Sequence, residues 1–513
     1  MAYIISTELQ TSEHNLMTSP VKNSFEMPRR GDLANLARRG LGWSFALQFG
    51  RYAVSMASTA VLARLVSPGD YGLLAMVATI TVLAQAISDF GLSWATVQRE
   101  QLDRNQIDSL FFMNCAFGLF LTIICFLIAP YVARFYHHAE LTKIVIACSG
   151  VLLLSAVAVQ PTALLRRQMK LKELSACALW SLTISAVISM FLAWLGFGYW
   201  ALVAQLVLQQ VIATVLSFPM SRYYPRLPLN FLNIGTLLTF GGYSAAYGIV
   251  NYFARNLDNV LIGKVWGAVA LGYYSRAYFL MTLPGMLVIA GFSGVLIPSL
   301  ASLRKEPDRM QSAYLRAIRL ITVLGCSVAV GLAATATEAV ELVYGPKWHA
   351  VVPIMLWLSA ASILQPIQNT AQWLYIVAER GRGMFLMGLL VAGSAVLAFA
   401  LSIRFGPVAV ARSYAISNTI IAFPVLLMAH RACGLHIKKT IAESAPLVLC
   451  ALIMGAVVYL VGIGLNCVGA GLHARLAMKV IVGIGAYAGC LRLLAYRTYA
   501  EILAYAPVSI TQS

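Results

Sequence analysis

The chain has 513 residues, 60% of them hydrophobic and 11% charged, with a net charge of +18. A soluble protein is about a quarter charged, and a mean hydropathy of +0.78 excludes an ordinary soluble enzyme. The nine cysteines show no metal-ligand or redox spacing, and most, such as Cys115, Cys125, Cys326 and Cys450, read as small apolar packing residues.

In chain order, residues 1–40 form a polar tail that lacks the apolar core of a cleavable signal. Fourteen apolar runs follow, at 41–66, 70–91, 108–132, 143–165, 174–196, 199–219, 234–266, 270–301, 317–343, 350–378, 384–403, 408–430, 444–465 and 477–496. A membrane-spanning helix takes roughly 20 such residues. No stretch between the runs is long enough for a soluble domain, and 497–513 is a second tail. The expected fold is an all-α integral membrane protein of about 14 transmembrane helices. An even number of crossings puts both termini on one side. With that side cytoplasmic, 25 of the 37 Lys and Arg lie in the cytoplasm and 11 outside, and Arg51 in the first run completes the count. This is the positive-inside asymmetry, so the basic balance calls for no nucleic acid.

The two halves repeat each other. Gln160-Pro161-Thr162-Ala163 and Gln368-Asn369-Thr370-Ala371 stand 208 residues apart, and so do Phe197-Gly198 and Phe405-Gly406. Earlier the offset is 191: Phe49-Gly50 and Tyr52 match Phe240-Gly241 and Tyr243, and Ala63-Arg64 matches Ala254-Arg255. A nine-residue insertion then pairs Gly72 with Gly272. Six spans separate the copies, which gives a parallel repeat about an axis along the membrane normal. The expected organisation is a six-helix bundle over 41–219, a second over 234–430, and two added helices in 444–496. Two facing bundles enclose a cleft that opens to either side by rocking.

Charges inside the spans carry the candidate chemistry. Arg51 lies about ten residues into span one, roughly 15 Å deep. An arginine there costs about 2.5–3.5 kcal/mol, so it faces either an internal partner or an anionic cargo in the cleft. Tyr52 stands beside it. Arg255 and Asp258 share a face of span seven, flanked by Asn256 and Asn259; they form an ion pair or line the cleft. Arg412, near the outer end of span twelve, is a further cleft candidate, whereas Arg64 reads as a snorkelling interfacial residue. Asp89, Glu338 and Glu341 are candidates for ion coupling, with plain solvation of a helix end as the other reading. Guanidinium forks suit phosphate oxygens. Trp43, Tyr243, Tyr247, Tyr252, Trp357, Trp373 and Tyr375 offer faces for sugars, and interfacial packing explains them equally well. No Gly-x-x-x-x-Gly-Lys-Ser/Thr loop, His-Glu-x-x-His pair or Gly-x-Ser-x-Gly turn occurs. No catalytic, metal or cofactor site is therefore expected.

One motif set goes further. Residues 63–76, Ala-Arg-Leu-Val-Ser-Pro-Gly-Asp-Tyr-Gly-Leu-Leu-Ala-Met, resemble the polysaccharide transporter family, the Wzx-type lipopolysaccharide and exopolysaccharide flippases related to MATE drug exporters. Asp89-Phe90-Gly91-Leu92, Arg255-Asn256-Leu257-Asp258-Asn259, Leu271-Gly272-Tyr273-Tyr274 and Tyr344-Gly345-Pro346-Lys347-Trp348 agree. Gly69 departs where an acidic residue is common, and Lys264 where arginine is. The resemblance covers roughly residues 38–430. It implies flipping of an undecaprenyl-pyrophosphate-linked oligosaccharide repeat unit across the bacterial inner membrane, alongside other polysaccharide assembly proteins and through a cationic cavity to which Arg51 and Arg255 are suited. Two rivals stand: a cation-coupled drug exporter of the same fold, which should prefer acidic residues in its cleft, and a membrane glycan polymerase or ligase, which needs a catalytic outer loop.

Overall fold

A computed structural model describes residues 30–88, 104–226, 235–304, 306–496 and 498–500. The described residues are helical, without a strand: α1 (Arg30–Leu65), α2 (Pro68–Ser88), α3 (Arg104–Tyr136), α4 (Glu140–Arg167), α5 (Leu171–Trp194), α6 (Tyr199–Ser221), α7 (Gly235–Ser302), α8 (Pro307–Ala334), α9 (Ala336–Val343), α10 (Val351–Ser362), α11 (Gln365–Val377), α12 (Gly381–Ser402), α13 (Pro407–Cys433), α14 (Ile437–Cys467) and α15 (Leu472–Leu494). Among the described residues, nine helices are long and apolar enough to cross a membrane, or ten if the bent pair α10–α11 is one span. The helix is the form that satisfies its own backbone hydrogen bonds where lipid offers none. Many exposed large side chains are apolar, including Leu127, Phe191, Leu397, Leu460 and Ile484, as a lipid-facing surface requires.

Several expected spans have different internal structure. α7 runs through both 234–266 and 270–301, broken only at Gly267, whose φ of 78° and ψ of −176° turn the chain without a loop. The expected span 317–343 is two helices, α8 and α9, divided at Thr335. The expected span 350–378 bends by 43° between α10 and α11. Pro366 stands in the first turn of α11, where its missing N–H costs nothing and its ring disfavours a continuous helix from before it. α1 is helical from Arg30, the first described residue, well before the apolar run. Hydropathy reports where a helix is apolar, not where it begins.

Small residues set how closely the helices approach, because lipid gives no hydrophobic drive for association. α3 packs on α4, and a Cβ added to Gly118 would stand 2.4 Å from the Ala156 Cβ. α14 packs on α8 and α15 on α14. Gly455 meets Val330 and Gly483 meets Val458 across those seams. Buried ions tie the last two helices down. Lys479 Nζ of α15 lies 2.7 Å from Glu338 Oε1 of α9, with side chains only 8% and 4% exposed. The Lys479 stem runs against Gly462. Arg319 of α8 pairs with Glu443 of α14 at 3.2 Å.

Lys479→Ala or Glu338→Ala strands one charge in a dry setting and is expected to lower stability by about 3–5 kcal/mol. The Glu338→Leu/Lys479→Met pair, which removes both charges at similar volume, should unfold thermally in detergent near the wild-type temperature. A double variant as unstable as the single ones would show that packing, not the charge pair, holds α15.

Candidate functional site

The first and second halves touch backbone to backbone where α2 crosses the latter part of α7. A Cβ on Gly72 would lie 1.7 Å from the Ala268 carbonyl oxygen, and one on Gly272 would lie 1.9 Å from that of Pro68. Neither approach tolerates a side chain. The contact is reciprocal, as a local two-fold axis between residues 68–72 and 268–272 requires.

Around this contact a second segment caps α1. Trp348 Nε1 donates to the Ala63 carbonyl at 2.8 Å. Lys347 Nζ donates to the carbonyls of Arg64 at 2.7 Å and Val66 at 3.3 Å. These oxygens belong to or follow the last turn of α1, where no helical N–H remains to satisfy them and the helix dipole favours a cation. Arg64 Nη2 returns the bond to the Leu342 carbonyl at 2.6 Å, in the last turn of α9. Arg64 therefore clasps the opposite half instead of snorkelling to the interface. Trp348 is fully buried, with its ring edge-on to Tyr71 and Tyr273. The Arg276 guanidinium lies 4.6 Å from the centre of the Tyr71 ring, and the Tyr344 hydroxyl donates to the Arg276 carbonyl. Tyr252 hydroxyl donates to the Thr79 carbonyl, a further link between halves. The motifs around Ala63, Gly72, Gly272 and Trp348 thus converge on one seal at one rim.

Arg51 stands well below it, 14 residues before Leu65 and about 21 Å along α1. It shares a helical face with Ser58 and Leu62, seven and eleven residues on, and both are buried. Ser58 Oγ accepts a hydrogen bond from Gln205 Nε2 of α6. At Arg51 the same face is exposed, and the guanidinium has no hydrogen-bond or ion-pair partner among the described residues. The apolar exposed residues Phe49 and Ala53 point elsewhere around the helix. Tyr52 is half-buried.

In the second half, a cavity of about 150 Å³ opens between α7, α11, α12 and α13. Asp258 lines it, 3% exposed. Its Oδ2 accepts from the Tyr274 hydroxyl at 2.7 Å and its Oδ1 from the Asn259 N–H at 2.8 Å. Four amide side chains of α11 line it too. No functional reading of the sequence singled them out, although their spacing was visible there. Asn256 turns back on its own helix and donates to the Tyr252 carbonyl, and Asn259 is half-buried. Arg412 is exposed in a stripe with Val408, Ile416 and Ile420 and does not line this cavity. Glu338 is committed to Lys479, which removes it as a free coupling carboxylate. Glu341 is half-buried on α9. Asp89 and the Arg255 side chain lie outside the described residues. Among the described residues no group of three or more His, Cys, Asp or Glu is arranged to hold a metal ion.

The polysaccharide biosynthesis protein family matches residues 61–353, more than half of the chain. The chain belongs to this family. It is 26% identical over 360 residues to the succinoglycan biosynthesis transport protein ExoT of Rhizobium meliloti (strain 1021), covering 70% of this chain and 73% of that one. It is 22% identical to the lipopolysaccharide biosynthesis protein WzxC of Escherichia coli (strain K12), covering 64% and 68%. Among solved structures, the lipid II flippase MurJ in an inward closed conformation superposes with a TM-score of 0.73 at 14% identity, covering 90% of this chain and 99% of that one. An inward-facing multidrug MATE transporter gives 0.53 over 76% and 94%. The fold of this multi-pass membrane protein is therefore that of the MurJ and MATE transporters.

A Cβ on Gly69 would lie 3.5 Å from Val269 Cγ2 beside the seal. A Gly69→Cys/Val269→Cys pair is therefore expected to form a disulfide on mild oxidation and to arrest export in cells until a reductant is added. Free export by the cross-linked protein would show that this rim does not open during the cycle.

Proposed function

We propose that this protein carries an undecaprenyl-pyrophosphate-linked oligosaccharide repeat unit across the bacterial inner membrane by alternating access, for surface polysaccharide synthesis. The rim that carries Arg166, Arg167, Lys170 and Lys172 is cytoplasmic under the positive-inside rule, as are both termini, so the sealed rim is periplasmic. The working units are two six-helix bundles, 41–219 and 234–430, with the helices of 444–496 added. The reciprocal Gly72–Gly272 contact supports that division. So does family membership, and so does the fold shared with a protein named a lipid II flippase.

The observation that carries the reading is Arg51. A guanidinium exposed on the Ser58–Leu62 face of α1, without a partner among the described residues and within membrane depth, supports an anion site by its chemistry. The diphosphate enters from the cytoplasm and accepts paired hydrogen bonds from Arg51, while the isoprenoid stays in lipid. Release of the periplasmic seal and rocking of the halves then expose the headgroup outside. No covalent bond forms or breaks. The enzymes that build the repeat unit and those that polymerise it are the partners on either side. A drug exporter of cations fits less well, since the described lining of the second-half cavity holds a single carboxylate, already bonded by Tyr274.

Arg51→Ala should abolish surface polysaccharide and leave lipid-linked repeat units on the cytoplasmic leaflet, with the protein at its normal level in the membrane. Arg51→Lys should retain part of the activity, because charge survives but the fork does not. Normal export by Arg51→Ala removes Arg51 from the substrate path.

A further inference from the structure

Gln365, Gln368, Asn369 and Gln372 follow one another at i, i+3, i+4 and i+7, so they occupy one face of α11. All four line the second-half cavity. None of the four side chains hydrogen-bonds to a described residue, and Gln368 is only 8% exposed. Gln365 and Asn369 are half-buried and Gln372 is exposed, so the amides face the open cavity with free donors and acceptors that a ligand can take up. The repeat keeps only one of the four, Gln368, as Gln160. At the offset of 208, the first half carries Val157, Gln160, Pro161 and Leu164 in the same places.

The chemistry of the cavity selects a ligand class. Each amide offers two donors and an acceptor, which matches a hydroxyl that both donates and accepts. Asp258 has taken two hydrogen bonds and keeps acceptor capacity for a hydroxyl donor. Phe399 and Tyr414, with stacked rings 5.9 Å apart, add an apolar wall. The amides extend over about 10 Å of helix, longer than one six-membered ring. A metal ion gathers its oxygens at about 2.3–2.6 Å, so a set this spread out does not converge on one ion. The described lining includes no Lys, Arg or His, so it does not suit a diphosphate.

We propose that the α11 amides and Asp258 form a subsite for an uncharged sugar residue, separate from the cation at Arg51. The subsite rests on the reading of this protein as a carrier of a lipid-linked oligosaccharide.

The full-length protein in lipid nanodiscs is titrated calorimetrically with methyl glycosides of neutral hexoses and, separately, with inorganic pyrophosphate. Wild type is expected to bind at least one glycoside. Gln368→Leu/Gln372→Leu should weaken that binding roughly tenfold or more and leave pyrophosphate binding unchanged, and Arg51→Ala should do the reverse. Leucine is close to glutamine in volume, so the unliganded double variant should match or exceed the wild-type Tm, and Gln365→Leu at the half-exposed end is a milder second variant. Unchanged glycoside affinity in these variants, or no glycoside binding by wild type, overturns the subsite. A sodium-dependent heat that Asp258→Asn removes, without glycoside binding, assigns the cavity to a cation instead. Cells separate the two readings. Normal export from a deletion strain refutes the carrier. A deletion strain that fails to export, yet is fully rescued by Gln368→Leu/Gln372→Leu, refutes the subsite alone.

Discussion

The distance between Gly72 and the Ala268 carbonyl governs the arrangement of the two halves. With no Cβ on Gly72 or Gly272, the backbones of α2 and α7 meet directly. That approach brings the end of α1 within reach of Trp348 and Lys347, and Arg64 within reach of α9. The seal is built from donors on one half and helix-end carbonyls on the other. The Arg64–Leu342 and Lys347–Arg64 bonds are exposed at the rim, where water can replace the lost donors, whereas the Trp348–Ala63 bond is buried. Each bond then has a net worth of about 0.5–1.5 kcal/mol, small enough for a seal that opens and large enough, in sum, for one that closes. The Lys479–Glu338 pair has the opposite character. It is buried on both sides, nothing replaces either partner, and breaking it is far more costly. The same chain thus holds a largely exposed contact between its halves and a buried one beneath its last helix.

Membrane depth sorts polar groups by whether the protein satisfies them. Glu338, Arg319 and Asp258 have partners on neighbouring helices or, for Asp258, elsewhere on the broken helix α7. Those partners explain their presence without a ligand, although Asp258 keeps spare acceptor capacity. Arg51 and the α11 amides have none among the described residues. Arg51 and Gln372 are exposed, so their donors are open to a ligand. That contrast, rather than charge alone, is the ground on which Arg51 and the α11 amides are proposed to bind cargo.

Much of the helical frame was legible because hydropathy and the internal repeat are local patterns. The apolar gap at 267–269 coincides with the break at Gly267. What stayed hidden depends on rotation and on distant partners. Glu338 and Lys479 are 141 residues apart, and no spacing rule joins them. Arg412 was placed by depth along span twelve, yet the stripe it shares with Val408, Ile416 and Ile420 sets its direction, and that stripe can be read at intervals of four. The amides of α11 were equally readable as an i, i+3, i+4, i+7 set. Gln368 and Asn369 belong both to this set and to the repeat, and the repeat alone does not reveal the face they share. The motifs around Trp348 pointed to a family, but only folding shows that they share a place.

The halves depart from the repeat at their charged positions. Phe49-Gly50-Arg51-Tyr52 aligns with Phe240-Gly241-Gly242-Tyr243, so the cation exists in the first half and a glycine stands at its counterpart. Asp258, aligned on the same offset, corresponds to Ser67. A duplicated frame explains how the halves can rock about a shared contact, since equivalent glycines meet at the axis. It does not by itself explain a cargo with two chemically different ends. On the proposed reading the asymmetry does: Arg51 stands without a partner among the described residues of the first half, and the second lines a cavity with amides and Asp258. A diphosphate and a neutral sugar joined in one molecule would then bridge the two halves, and only a molecule long enough to engage both would couple binding to their relative movement.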